Sequence, residues 1–134
     1  MYLVDRLFDD DVPVETVVWV SEGVRAAIRH YLKKDRRSAQ KVLVKLKYYA
    51  EAGFRLFEGP RRPVKHEWDG VYRVGEPGLL FRIVGFYEGG NRRSFIAIEA
   101  FEKSGQNLRP SEKDRINNVA NVCRCVTWQK VRTA

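Results

Sequence analysis

Two cysteines and two histidines among 134 residues leave little material for thiol or metal chemistry. Cys123 and Cys125 stand two apart near the end of a predicted helix, so they fall on different faces. That spacing excludes a disulfide between them, and two thiols are too few to hold a metal. No cluster of carboxylates, histidines or cysteines has ligand spacing either, so no metal or other cofactor is expected. Long hydrophobic runs are also missing: nothing approaches the roughly 18 apolar residues that a membrane-spanning helix needs. No signal peptide opens the chain. A cytoplasmic location with no membrane partner is the expectation. Internal repeats and low-complexity segments are absent, and 134 residues suffice for one domain with a real core.

Positive charge, by contrast, is plentiful and unevenly placed. The chain carries 25 Lys and Arg against 17 Asp and Glu, a net charge of +8. Residues 1–23 have a net charge of −5, from Asp5, Asp9, Asp10, Asp11, Glu15 and Glu22 against Arg6 alone. Everything after them has a net charge of +13. A surplus of this size attracts polyanions and points to a nucleic-acid or acidic protein partner.

Residues 1–13, ending at Pro13, read as an acidic extension outside the core, with a single domain over 14–134. Val14–Val20 is β-branched and aromatic, the composition of a strand. Ser21 then caps a helix over Glu22–Lys34 that places Val24, Ala27, Ile28, Tyr31 and Leu32 on one face. After a break at 35–38, a second helix over about 37–52 buries Ala39, Val42, Leu43, Leu46, Tyr49 and Ala50, and Gly53 ends it. The pair forms a helical hairpin. Residues 54–70 read as a basic loop. Runs at Val71–Val74, Leu79–Tyr87 and Phe95–Phe101 read as a three-stranded meander, with Glu88-Gly89-Gly90-Asn91 as a hairpin turn. A last helix starts at Pro110-Ser111, where Ser111-Glu-Lys-Asp114 fits a capping box. Its apolar stripe is Ile116, Val119, Ala120, Cys123 and Val126, and the tail around Trp128 continues or frays. The expected class is α+β, in the order β-α-α-β-β-β-α: a mostly antiparallel four-stranded sheet with helices on one face.

Lys65, His66, Arg73, Arg82, Lys103 and Arg109 interrupt or end these strands. A core strand tolerates an arginine only where the side chain reaches a solvated or functional surface. One face of the sheet is therefore expected to carry charge.

The order and spacing of several motifs resemble the RelE/ParE superfamily of toxins from bacterial type II toxin–antitoxin pairs, in its phage-derived HigB-like branch. These motifs are Pro63-Val-Lys65, Gly70-Val-Tyr72, Phe81-Arg82-Ile83, the aromatic and Gly-Gly turn at Phe86–Gly90, Ala100-Phe-Glu-Lys103 and Pro110. The resemblance covers about residues 38–120. It implies a RelE-like fold, usually that of an mRNA endoribonuclease acting at the ribosome and held by an antitoxin, expected here to be of helix-turn-helix type. Some relatives instead inhibit DNA gyrase without nuclease chemistry, and a member that only binds nucleic acid or antitoxin is a further alternative. Tyr72-Arg-Val-Gly75 departs from the family's Tyr-Glu-Leu-Arg pattern, Glu102-Lys103 replaces a pair of lysines, and the acidic start is atypical.

Attack by an RNA 2′-hydroxyl needs a base, an acid for the leaving 5′-oxygen and cations for the phosphorane, but no metal. Arg82 is the first candidate for charge stabilisation, against an ion pair with Glu99 or Glu88. Lys103 and Lys65 join it as catalytic candidates. His66 is the candidate acid or base, histidine being the side chain that titrates near neutrality. Arg61, Arg62, Arg73 and Arg109 are expected phosphate contacts, and Tyr87 or Tyr72 a surface for base stacking. Glu102 is the alternative base.

Overall fold

The computed structural model describes residues 1–8, 13–105 and 107–132. Among them the elements run β1 (Tyr2–Arg6), β2 (Val17–Ser21), α1 (Glu22–Lys34), α2 (Arg36–Ala52), β3 (Val64–His66) and β4 (Tyr72–Val74). They continue with β5 (Phe81–Tyr87), β6 (Ser94–Glu102), α3 (Pro110–Cys125) and β7 (Trp128–Lys130); a 3-10 turn at Phe54–Phe57 follows α2. All seven strands join one sheet in the order β3-β4-β5-β6-β2-β1-β7. Pairing is antiparallel except for β2 with β6 and β1 with β7. The α+β class and the meander hold; the four-stranded sheet does not. Its four strands are the contiguous centre β4-β5-β6-β2, and three short strands extend it on both sides.

Those three strands lie where the sequence reads as extension, loop and fraying tail. The acidic start is part of the core, against expectation: Val4 in β1 has no exposed surface and packs beside Trp19, Ile96 and Val119. Residues 9–12, which carry three of the acids, lie outside the described residues. The tail leaves α3 at Val126 (φ 51°), and Trp128 packs edge-on against Phe86 at 5.7 Å.

The helical hairpin forms for the reasons legible in its caps. The Ser21 hydroxyl accepts from the Val24 N–H (3.2 Å) and donates to the Ile98 carbonyl (2.9 Å), tying α1 to β6. The break between the helices is Asp35 alone, whose carboxylate accepts from the Ser38 N–H at 3.1 Å. Val24, Ile28, Tyr31, Ala39, Val42, Leu46, Tyr49 and Ala50 close over one face of the sheet. The hairpin therefore lies on one face as expected, but the other face is covered by α3 through Ile116, Val119, Ala120 and Val122, so the helices as a set are not confined to one face. α3 begins at Pro110 as expected, but its capping box is built on Arg109 and Glu112 and not on Ser111. Pro110 takes the first helical position, where its missing N–H costs nothing, and Glu112 accepts from the Arg109 N–H at 2.8 Å. No helix among the described residues is long and apolar enough to cross a membrane.

A bulge sets the two faces of β6. Val84 pairs with Glu99 and Gly85 with Ala97, which leaves Ile98 as an extra residue. Ile98 packs in the α3-side core, and Glu99 accepts from Asn118 of α3, so consecutive residues face the same side. Gly85 is required there, because a Cβ would stand 2.8 Å from the Ile96 carbonyl carbon. α3 packs against β5 and β6, and the β3–β4 end of that face remains open.

Candidate nucleic-acid interface

Strand alternation decides which cations meet. β3 pairs Lys65 with Arg73, and β4 pairs Arg73 with Val84, two residues from Arg82. Lys65, Arg73 and Arg82 therefore share the face that α3 leaves open. Lys103 follows β6 directly, and its N–H donates to the Leu80 carbonyl (2.7 Å), holding it beside the start of β5. The outcome is a basic corner with two adjoining recesses. One, of about 310 Å³, is lined by Arg61, Arg62, Lys65, Arg73, Gly75 and Arg82. The other, of about 450 Å³, is lined by Lys65, Glu67, Arg73, Lys103, Asn107 and Lys113.

Arg73 is the buried member. Its Nε lies 2.9 Å from the Glu67 carboxylate, with side-chain exposures of 9% and 8%. The contact is an ion pair without hydrogen-bond alignment: the facing Glu67 oxygen and the Arg73 Nη1 both lack a hydrogen-bond partner. Arg82 crosses the backbone of Gly75 and donates through Nη1 to the carbonyls of Leu79 and Phe81, the latter at 3.0 Å. Burial, and then the neighbouring Arg73, lower its pKa. Lys103 records the same crowding. Burial, then Arg73, Arg82 and Lys65, push its ammonium below the ordinary lysine value, with Glu67 pulling the other way. Arg62 donates to the Leu56 carbonyl at 2.6 Å, and Arg61 occupies the left-handed region (φ 61°); both project from the loop beside β3.

Six predicted residues thus come together: Arg61, Arg62, Lys65, Arg73, Arg82 and Lys103. Three do not. His66 follows Lys65 on an extended strand and so faces the opposite side, its ring edge-on to Tyr72 at 5.1 Å. Tyr87 is five residues from Arg82 on β5, an odd spacing that puts it on the α1–α2 face. There its ring meets Phe54, Tyr72 and Phe95, the Arg92 guanidinium lies 4.8 Å over it, and burial raises the pKa of its hydroxyl. Arg109 stands at the head of α3 and lines neither recess.

The expected ion pairs for Arg82 are otherwise engaged: Glu88 with Lys130 at 2.6 Å, and Glu99 with Asn118 and Arg115. Glu102 pairs with Lys34 of α1 at 3.1 Å, away from the corner. Sequence reasoning missed Glu67 and Gly75. The signals were present: Glu67 is the first acid after the basic stretch 61–66, and Gly75 stands where the resemblance expects an arginine. Arg92 was also overlooked; it clamps Glu58 through Nε (3.1 and 2.9 Å) and donates to the Tyr72 hydroxyl (2.9 Å). Among the described residues no group of three His, Cys, Asp or Glu side chains is placed to hold a metal ion. Compared with family models, curated proteins and solved structures, the chain matches none of them.

Proposed function

We propose that the basic corner is the RNA groove of a RelE/ParE-type toxin, a HigB-like mRNA endoribonuclease working with the ribosome in the cytoplasm. In this reading a helix-turn-helix antitoxin restrains it by covering the same cations. The supporting observation is the convergence of Lys65, Arg73, Arg82 and Lys103, close enough together to depress the Lys103 ammonium. A phosphate diester is the ligand class that such crowding favours, since each bound phosphate relieves repulsion among the cations.

The chemistry assigned to the corner is transesterification. A Lys103 amine that has released its own proton to solvent takes the proton of the 2′-hydroxyl, O2′ attacks the adjacent phosphorus, and the bond from phosphorus to O5′ breaks. The Lys65 ammonium gives its proton to O5′, leaving a 2′,3′-cyclic phosphate and a 5′-hydroxyl end. Arg82 and Arg73 face the phosphorane charge. Their orientation is set beforehand by the Leu79 and Phe81 carbonyls and by Glu67.

The test is induction in cells, with growth and transcript integrity followed together. Wild type should arrest growth and leave transcripts with 5′-hydroxyl ends. Losing one preorganised contact to developing charge costs on the order of 3 kcal/mol, so Arg82→Ala should cleave roughly a hundredfold more slowly. Arg29→Ala, on an exposed face of α1 and paired with Glu22, should cleave like wild type. Growth arrest with intact transcripts would transfer the reading to a non-enzymatic toxin that binds a protein such as DNA gyrase.

A further inference from the structure

β3 is the outermost strand of the sheet, and its consecutive residues Lys65 and His66 point to opposite sides of that edge. Beyond the edge from the basic corner lies a recess of about 380 Å³, formed by Glu58, Gly59 and Pro60 on one side and His66 and Tyr72 on the other. Lys65 lies on its rim as well as on the rims of both basic recesses. We infer that this recess is a nucleobase subsite: a base of single-stranded RNA stacks on His66 while a neighbouring phosphate stays on Lys65. The inference rests on the RNA-groove reading for its phosphate side and adds to it the position where a base is held.

Three features favour a base over another apolar group. His66 is exposed and braced edge-on by Tyr72, which is braced in turn by Tyr87 at 4.9 Å. The platform is therefore rigid before anything binds. The Tyr72 hydroxyl accepts from Arg92, which fixes the ring, and the same Arg92 holds the Glu58 carboxylate at the mouth of the recess. A carboxylate retains acceptor sites beyond one guanidinium, enough to receive the N–H edge of a base. Finally, an aromatic platform beside a cationic ridge is the combination that binds single strands, with stacking for the base and charge for the backbone. No other described edge of the sheet combines the two: β7, at the far side, presents Trp128 turned inward against Phe86.

The experiment uses fluorescence anisotropy of a short labelled single-stranded RNA, with inorganic tripolyphosphate as a backbone-only competitor. Because the chain has two histidines, imidazole NMR signals give a direct contact readout, with His30 on α1 as the internal control. A nucleoside 5′-monophosphate should shift the His66 ring signals and leave those of His30 in place. His66→Ala should weaken RNA binding about tenfold, the loss expected for one stacked base, and His66→Phe should restore it to within about twofold. Both variants should bind tripolyphosphate as wild type does. Unchanged RNA binding by His66→Ala, or a His66 ring unmoved at saturating RNA, would overturn the subsite while leaving the cleavage reading intact. RNA held through His66 by a protein whose induction in cells leaves transcripts intact would uphold the subsite and remove the nuclease reading. Wild type that binds no RNA would remove both.

Discussion

Gly75 leaves open the space that Arg82 crosses. A Cβ at position 75 would stand 2.5 Å from Arg82 Cδ and 2.6 Å from Nη1. Both are atoms of a flexible side chain, so the fold can accept Gly75→Ala, but only by swinging the guanidinium out of its cradle of carbonyls. Gly85→Ala is the contrasting case, because its Cβ would meet the Ile96 backbone, which cannot swing aside. Gly75→Ala should therefore unfold at nearly the wild-type urea midpoint; on the proposed nuclease reading it should also slow RNA cleavage about a hundredfold, as misplacement of a catalytic group by roughly 1 Å does. Gly85→Ala should lose about 3 kcal/mol of stability from overpacking. Equal cleavage by Gly75→Ala and wild type would mean that Arg82 works from another rotamer or not at all. An arginine at 75 and the observed Arg82 conformation would compete for one volume, so this chain keeps one guanidinium there and places its second at Arg73, anchored by Glu67.

At the scale of elements, β1 is the strand whose role is least legible and most testable. It sits between β2 and β7, so it bridges the central sheet to the C-terminal strand. Val4 is fully buried, whereas its neighbour Leu3 is 57% exposed, as alternation along a strand requires. Val4→Ala should cost about 2 kcal/mol through lost transfer energy and a cavity. For a domain of this size that lowers Tm by roughly 8 °C, measurable by calorimetry. Leu3→Ala should leave Tm unchanged; equal effects at the two positions would place the strand outside the core. The acids at 5 and 9–11 hide this strand from sequence reading, since the short apolar run Tyr2-Leu3-Val4 does not alternate with polar residues and gives no period-two pattern to detect. β3 and β7 are three residues each and hide for the same reason. Ser21 and Gly53 were legible because caps depend on residue type within three or four positions, whereas Asp35 was read only as part of a longer break. The two-sided packing was not, because the face that α3 covers is decided by the sheet and not by α3 itself. The convergence of Arg82, Arg73 and Lys65 was half legible. Alternation separates Tyr87 from Arg82 by counting alone, but the alignment of β3 beside β4 needs the fold.

At the scale of the whole molecule, a net charge of +8 allows two ways of holding the RNA proposed above. Either the diffuse surplus on the helices does the work, or the corner does. Distance from the ligand separates them. A cation that touches a phosphate displaces condensed counterions, and one on a remote helix face contributes only a screened field that fades within about 10 Å at 0.1 M salt. If the four cations Lys65, Arg73, Arg82 and Lys103 each meet a phosphate, log K for single-stranded RNA should fall with log salt at a slope of about −2.8. Between about 50 and 200 mM salt that is a roughly fiftyfold loss of affinity. Replacing Lys65 and Lys103 together by alanine removes two contacts and should halve the slope to about −1.4. Replacing Arg29 and Lys41, exposed on α1 and α2, removes the same formal charge and should leave the slope at its wild-type value. Anisotropy titrations across salt concentrations measure all three proteins in one format. A helix-face pair that flattens the slope as much as the corner pair does would move the nucleic acid onto the helical hairpin, and the cations of the β3–β4 edge would then be holding one another's geometry and not a backbone.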